Sequence, residues 1–177
     1  MTTPTNETAI LIPIPEAEKT VDKYRLRYDP SRDAGIPAHI TLLYPFHDLE
    51  VLTSDILRTI SDIVSKHSQF QMTLSDVEWF DDRVVYLSPR PASPFLALID
   101  DLMRAFPECP PYGGIYESII PHLCVAETPD LRAMERVARR LVKRLPITAE
   151  ISQVWLMAGQ GSKDSWHVEH SFALSKD

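Results

Sequence analysis

Cysteine and glycine are both scarce in this chain, with two cysteines and five glycines among 177 residues. Cys109 and Cys124 are too few for a disulfide framework, so the fold has to rest on apolar burial. Gly113 and Gly114 are the one adjacent pair, and alone they do not make a phosphate-cradling loop. No HExxH, CxxC, GxSxG or GxxxxGK[ST] pattern occurs, so the common metal, redox, serine-hydrolase and P-loop signatures are missing. Long apolar runs are missing too. The stretch AILIPIP at 9–15 is short, carries two prolines and lacks a basic flank, so it reads neither as a secretory leader nor as a membrane span, and a cytoplasmic location is expected.

Positive charge is in deficit as well: the formal net charge is −7 and the pI about 5.3. Such a surface repels a polyanion, which argues against a long nucleic acid duplex as partner but leaves room for a short nucleotide held by a few local cations. The basic stretch RAMERVARRLVKR at 132–144 is the exception. Its apolar residues Met134, Val137, Ala138, Leu141 and Leu145 recur at helical spacing, leaving the arginines and lysine on a solvated outer face.

What is present is an ordinary globular composition, 44% apolar and 24% charged, in a length that fits one domain over 1–177. Period-two alternation predicts strands at 8–14, 38–46, 69–80, 83–88, 121–127, 147–158 and 165–175. Helical periodicity predicts helices at 16–28, 54–67, 94–106 and 130–145. The order repeats itself. ILIPIP at 10–15 resembles YLSPRP at 86–91, GIPAHIT at 35–41 resembles IIPHLC at 119–124, and LSDV at 74–77 resembles ISQV at 151–154. The expectation is an α+β fold of two pseudo-symmetric lobes, 8–82 and 83–175. Each would be an antiparallel sheet with helices on its outer face, around a central cleft.

The repeat singles out two histidines. On a strand, His39 and Thr41 share one face, and so do His122 and Cys124. A lone strand histidine is commonly structural, but two at equivalent positions of a duplicated unit, facing one cleft, point to a paired-imidazole site.

With those residues in place, the chain resembles the 2H phosphoesterases, a family that includes proteins named 2′-5′ RNA ligases and cyclic nucleotide phosphodiesterases. The family carries one His-x-Thr/Ser motif per lobe, matched here by HIT (His39, Thr41) and in part by HLC (His122, Cys124). The contexts IPAHITLLYPF, and PPYGG at 110–114 followed by IPHL, resemble its bacterial members. The resemblance implies a phosphodiesterase acting on a 2′,3′-cyclic phosphate or a related 2′-5′ or cyclic nucleotide linkage, on a small nucleotide or an RNA end. It implies no cofactor and no metal. The departure is Cys124, whose thiol is a weaker donor than a hydroxyl. It supports an alternative, a nucleotide- or RNA-end-binding protein with weakened catalysis; RNA 2′-5′ ligation is a third reading.

Chemistry supplies its own reason for the residue set. Hydrolysing a cyclic phosphodiester needs one group to take a proton and another to give one, and imidazole does either near neutrality. Thr41 and Cys124 are the candidate donors to the phosphate oxygens. Tyr112 and Tyr116 are candidates to stack on a base, and Arg90, with Arg25 and Arg27 behind it, to approach a phosphate. The segment WHVEH places His167 and His170 on opposite strand faces, which disfavours a metal there, and His170 reads as a core residue. A monomer is expected.

Overall fold

The computed structural model describes residues 6–176. In chain order the elements are β1 (Glu7–Pro13), α1 (Pro15–Tyr28), α2 (Pro30–Asp33), β2 (His39–Leu43), α3 (Ser54–Val64), β3 (Phe70–Phe80), β4 (Val84–Arg90), α4 (Ser93–Ala105), β5 (Leu123–Glu127), α5 (Leu131–Val142), β6 (Ile147–Ile151), β7 (Gln153–Gly159) and β8 (His167–Ala173). The helices begin where local chemistry favours it. Pro15 and Pro94 sit in the first turns of α1 and α4, where no backbone donor is lost. The side chains of Thr53 and Asp130 cap α3 and α5 by accepting from the amides of Ile56 and Ala133. No helix of the described residues is long and apolar enough to cross a membrane.

The strands form two four-stranded antiparallel sheets, ordered β2-β1-β7-β8 and β5-β4-β3-β6. The fold class is therefore α+β, but each sheet draws on both halves of the chain. β3, from the first half, pairs with β4 in the second sheet; β7, from the second half, pairs with β1 in the first. The helices cross over as well: α1 packs on β5, and α4 packs on β2. Strands from both sides of residue 82 thus enter each sheet.

The strand expected at 147–158 is in fact two. Ile147, Ala149 and Ile151 are buried on odd positions of β6, whereas Val154, Leu156 and Ala158 are buried on even positions of β7. The parity changes at Ser152, and there the chain passes from one sheet to the other. His170 also departs from expectation: β8 is the outer strand of its sheet, the packing reaches Phe172, and His170 is exposed.

One continuous apolar core runs through both sheets and their helices, and a smaller cluster of Ala9, Leu11, Ile36, Met157 and Trp166 lies beside the first sheet. Gly159 ends β7 against Trp166, whose indole nitrogen donates to the Gln160 carbonyl at 2.9 Å. A Cβ at Gly159 would run into the indole ring and stand 2.7 Å from the Trp166 backbone. Gly159→Ala should therefore destabilise the fold by about 2–3 kcal/mol, the scale of overpacking in a tight interior. Urea unfolding checks it, and an unchanged midpoint would show that the Trp166 segment yields freely.

Candidate functional site

β2 and β5 are outer strands of their sheets and lie against one another. That places the two motif histidines together: His39 opens β2 opposite Pro13, and His122 immediately precedes β5. One turn of the pleat further on, Thr41 lies opposite Leu11 and Cys124 opposite Tyr86. Thus the structure brings together the two motifs that the repeat singled out.

The two imidazoles are held in the same way. His39 Nδ1 lies 2.7 Å from the Pro37 carbonyl, and His122 Nδ1 lies 2.7 Å from the Ile120 carbonyl. A carbonyl only accepts, so each neutral ring must carry its proton on Nδ1 and donate it there. Nε2 is then the free lone pair in both rings, the atom able to take or deliver a proton. In each motif the carbonyl belongs to the residue two positions upstream, so the tautomer is written into the local backbone rather than into a distant partner.

Burial disfavours charge on both rings. His39 is pulled down to about 4, first by desolvation and then by the positive charges of Arg25 and His122, against the opposing pull of the Pro37 carbonyl and Asp29. His122 is lowered as well, by burial, with the Ile120 carbonyl opposing it. The two surroundings differ. His122 sits edge-on to Phe80 at 4.9 Å and to Tyr86 at 5.4 Å, and those two rings stack at 4.1 Å. His39 has Arg25 behind it instead.

Arg25 is fully buried. Its Nε donates to Asp29 at 2.8 Å, and one terminal nitrogen donates to the Ile36 carbonyl and to Ser31 Oγ, both at 3.0 Å. The other terminal nitrogen, Nη1, is buried without a partner among the described residues. Its charge acts on both His39 and Cys124. The sequence suggests a phosphate contact for this residue at the end of α1; its position is beneath the site, inside an ion pair. Phe80 and Tyr86 are not foreseeable from the sequence, because nothing in a strand pattern shows which aromatics will flank a residue on a neighbouring strand.

Thr41 is half-buried and lies near the Tyr112 phenol, whose pKa burial raises and Thr41 lowers. Tyr112 also donates its backbone N–H to the Tyr44 carbonyl at 2.6 Å, tying its loop to the end of β2. Tyr112, Gly113 and Gly114 all have positive φ, at 52°, 66° and 74°. The two glycines adopt this freely, but a tyrosine there is strained, a feature associated with functional sites. Tyr116 stands edge-on to Tyr112 at 5.6 Å and is largely exposed. Burial raises the Cys124 thiol, and the nearby Asp29 and Glu127 carboxylates raise it further, so it is a neutral S–H. Arg90, by contrast, is exposed and pairs with Asp76 at 2.5 Å, beyond the Leu87–Leu123 pair on β4. A depression of about 360 Å³ lined by Lys23, Arg27, Arg136 and Arg140 lies on the helical side and contains neither histidine.

A family model described as the 2′-5′ RNA ligase superfamily matches residues 13–163. A Bacillus pumilus (strain SAFR-032) protein, whose name ranks it as an inferred phosphoesterase, is 25% identical over 171 residues, covering 95% of this chain and 96% of its own. Among solved structures, Escherichia coli LigT in its apo form has a TM-score of 0.61 at 16% identity, covering 98% of this chain and all of that one. The same protein complexed with 3′-AMP scores 0.60 at 18% identity over the same shares of the two chains. A Thermus thermophilus protein scores 0.61 at 15% identity, covering 97% of this chain and 99% of that one. These structures share the fold.

Both rings should be found neutral at pH 7 with the proton on Nδ1, and His39 should titrate near 4. Long-range ¹⁵N–¹H spectra recorded across a pH series read tautomer and titration together. An Nε2–H tautomer at either histidine would mean that the carbonyl contacts do not form in solution.

Proposed function

Because the chain belongs to the 2′-5′ RNA ligase superfamily, we propose that it is a phosphodiesterase that opens 2′,3′-cyclic phosphates or related 2′-5′ or cyclic nucleotide linkages. One observation carries this reading: two imidazoles on neighbouring strands, each with Nδ1 tied to a carbonyl and Nε2 free. His39, the more strongly depressed of the two, stays unprotonated and acts as general base; His122 acts as general acid.

In this scheme His39 Nε2 takes a proton from water as the oxygen attacks phosphorus. The bond from phosphorus to one ribose oxygen breaks, and His122 Nε2–H delivers its proton to that oxygen. The product is a phosphomonoester beside a free hydroxyl, and solvent returns each ring to its starting protonation. Both proton transfers come from side chains, so the scheme needs no ion. Thr41, and more weakly Cys124, donate to the non-bridging oxygens. The Tyr112 and Tyr116 rings offer an aromatic edge to a base. E. coli LigT has been solved with 3′-AMP, ATP and NADP+, which supports a nucleotide-sized ligand for this fold.

Cys124 favours a second reading, a nucleotide- or RNA-end-binding protein with weakened catalysis, since a thiol stabilises phosphate charge less well than a hydroxyl. Ligation of RNA is disfavoured by the net charge of −7.

Turnover of the four nucleoside 2′,3′-cyclic monophosphates in EDTA is the direct test. His39→Ala and His122→Ala should each reduce it on the order of 100-fold without unfolding the protein; native activity in both variants would dismiss the paired-histidine scheme. The pH dependence of kcat/KM has a definite sign. The base is competent above about 4, and the acid is protonated only below its own lowered value. The optimum should therefore lie on the acid side of neutrality, and a maximum above pH 7 would reverse the role assignment.

Cys124→Thr should raise kcat/KM about 5-fold, the equivalent of roughly 1 kcal/mol for one better hydrogen bond. Tight nucleotide binding with no turnover in either form would establish the binding protein instead.

A further inference from the structure

A second group of chemically able side chains lies outside the paired-histidine site, where the chain leaves β2 and where it leaves α4. His47 Nε2 is 3.2 Å from Glu108 Oε1, and Cys109 Sγ is 3.8 Å from both nitrogens of the His47 ring. All three ligand atoms fall within 4.8 Å of one another. The ring is set by its own surroundings, edge-on to Phe46 at 4.6 Å and to Phe106 at 6.0 Å. Cys109 donates its N–H to the Phe106 carbonyl at 3.0 Å, forming the turn that presents Glu108 and Cys109 side by side.

We propose that His47, Glu108 and Cys109 form a binding site for a Zn²⁺-class cation, which fastens the Tyr112 loop to the end of β2. In a tetrahedral zinc site, with bonds of about 2.0 Å to nitrogen and oxygen and about 2.3 Å to sulfur, ligand atoms stand roughly 3.3 Å (N to O) and 3.6 Å (N to S) apart. The His47–Glu108 and His47–Cys109 separations match that frame within a few tenths of an ångström, and all three ligand atoms fall within 4.8 Å. The His47 ring has to turn to commit one nitrogen to the ion, since Sγ stands equally far from both. The donor set of one imidazole, one carboxylate and one thiolate suits zinc and does not suit magnesium or calcium, which prefer oxygen alone. Three protein donors leave the fourth position to water.

The location gives the ion its effect. His47 follows Tyr44 by three residues, and Cys109 precedes Tyr112 by three; the Tyr112 amide already donates to the Tyr44 carbonyl at 2.6 Å. An ion bridging His47 to Cys109 joins the same two segments a second time. It thereby steadies the strained Tyr112. Binding requires the thiol proton to leave, so one proton is released per ion.

The test uses the full chain freed of metal by a chelator and then dialysed. Zn²⁺ is titrated against a chromophoric indicator, and Co²⁺ is followed by absorption. One ion per chain is expected, with a thiolate-to-cobalt charge-transfer band in the near ultraviolet. Cys109→Ser should abolish the band, and Cys109→Ser and His47→Ala should each weaken Zn²⁺ on the order of 100-fold, as removal of a direct ligand does. Glu108→Gln, at a half-exposed position, should weaken Zn²⁺ as well, while Cys124→Ser and His39→Ala leave binding intact. Zn²⁺ should also slow hydrogen exchange at the Tyr112 amide. The proposal is overturned if the native protein gives no charge-transfer band, if the band survives Cys109→Ser, if it disappears in Cys124→Ser, or if Glu108→Gln binds Zn²⁺ as tightly as the native chain. Unaltered exchange at Tyr112 with zinc bound would overturn the fastening role.

Discussion

The hydrogen bond from each imidazole Nδ1 to a carbonyl two residues upstream is the contact on which the site's chemistry rests. It is short, local and duplicated, at 2.7 Å in both motifs. Without it either ring could hold its proton on either nitrogen and turn to present the wrong one. With it, Nε2 is the atom left for proton transfer in both rings, an acceptor when the ring is neutral and a donor when it is protonated. A proline stands close before each histidine, at Pro37 and Pro121. In the first motif the proline supplies the accepting carbonyl itself; in the second, Pro121 follows the accepting residue and favours an extended backbone there.

Equivalent geometry does not mean equivalent electrostatics. His122 is enclosed by Phe80 and Tyr86, which remove water without adding charge. His39 has a buried guanidinium behind it, and that adds repulsion to the loss of water. Arg25 can remain buried because Asp29 neutralises it while Ser31 and the Ile36 carbonyl take up further donors. A duplicated scaffold has thus been given two different surroundings, which is what separating an acid from a base requires.

Much of this was legible in the sequence. The alternation in HIT and HLC put each histidine on the same face as its partner residue, and the repeated element order made the two motifs equivalent. Sheet membership was not legible, since strand periodicity tells which face a residue occupies and says nothing about which sheet the strand joins. The change of parity between Ile151 and Val154 was a visible sign of that crossing. Arg25 was visible only as the end of an amphipathic helix. Its burial depends on α1 packing on β5, a contact about a hundred residues away in the chain. His47 and Cys109 are similarly remote, and no spacing rule joins them.

The exchange of strands has a consequence for synthesis. β1 is an apolar strand with β2 on one side and β7 on the other, and β7 is among the last elements of the chain. On a chain emerging from the ribosome, one long edge of β1 stays open until residue 159 has been made, and long-range pairing of that kind is slow and prone to misassociation. The strand that carries His39 is made early, on a sheet that cannot close until β7 follows. A truncation between β5 and β7 leaves that sheet unfinished while both histidines are still present in the sequence.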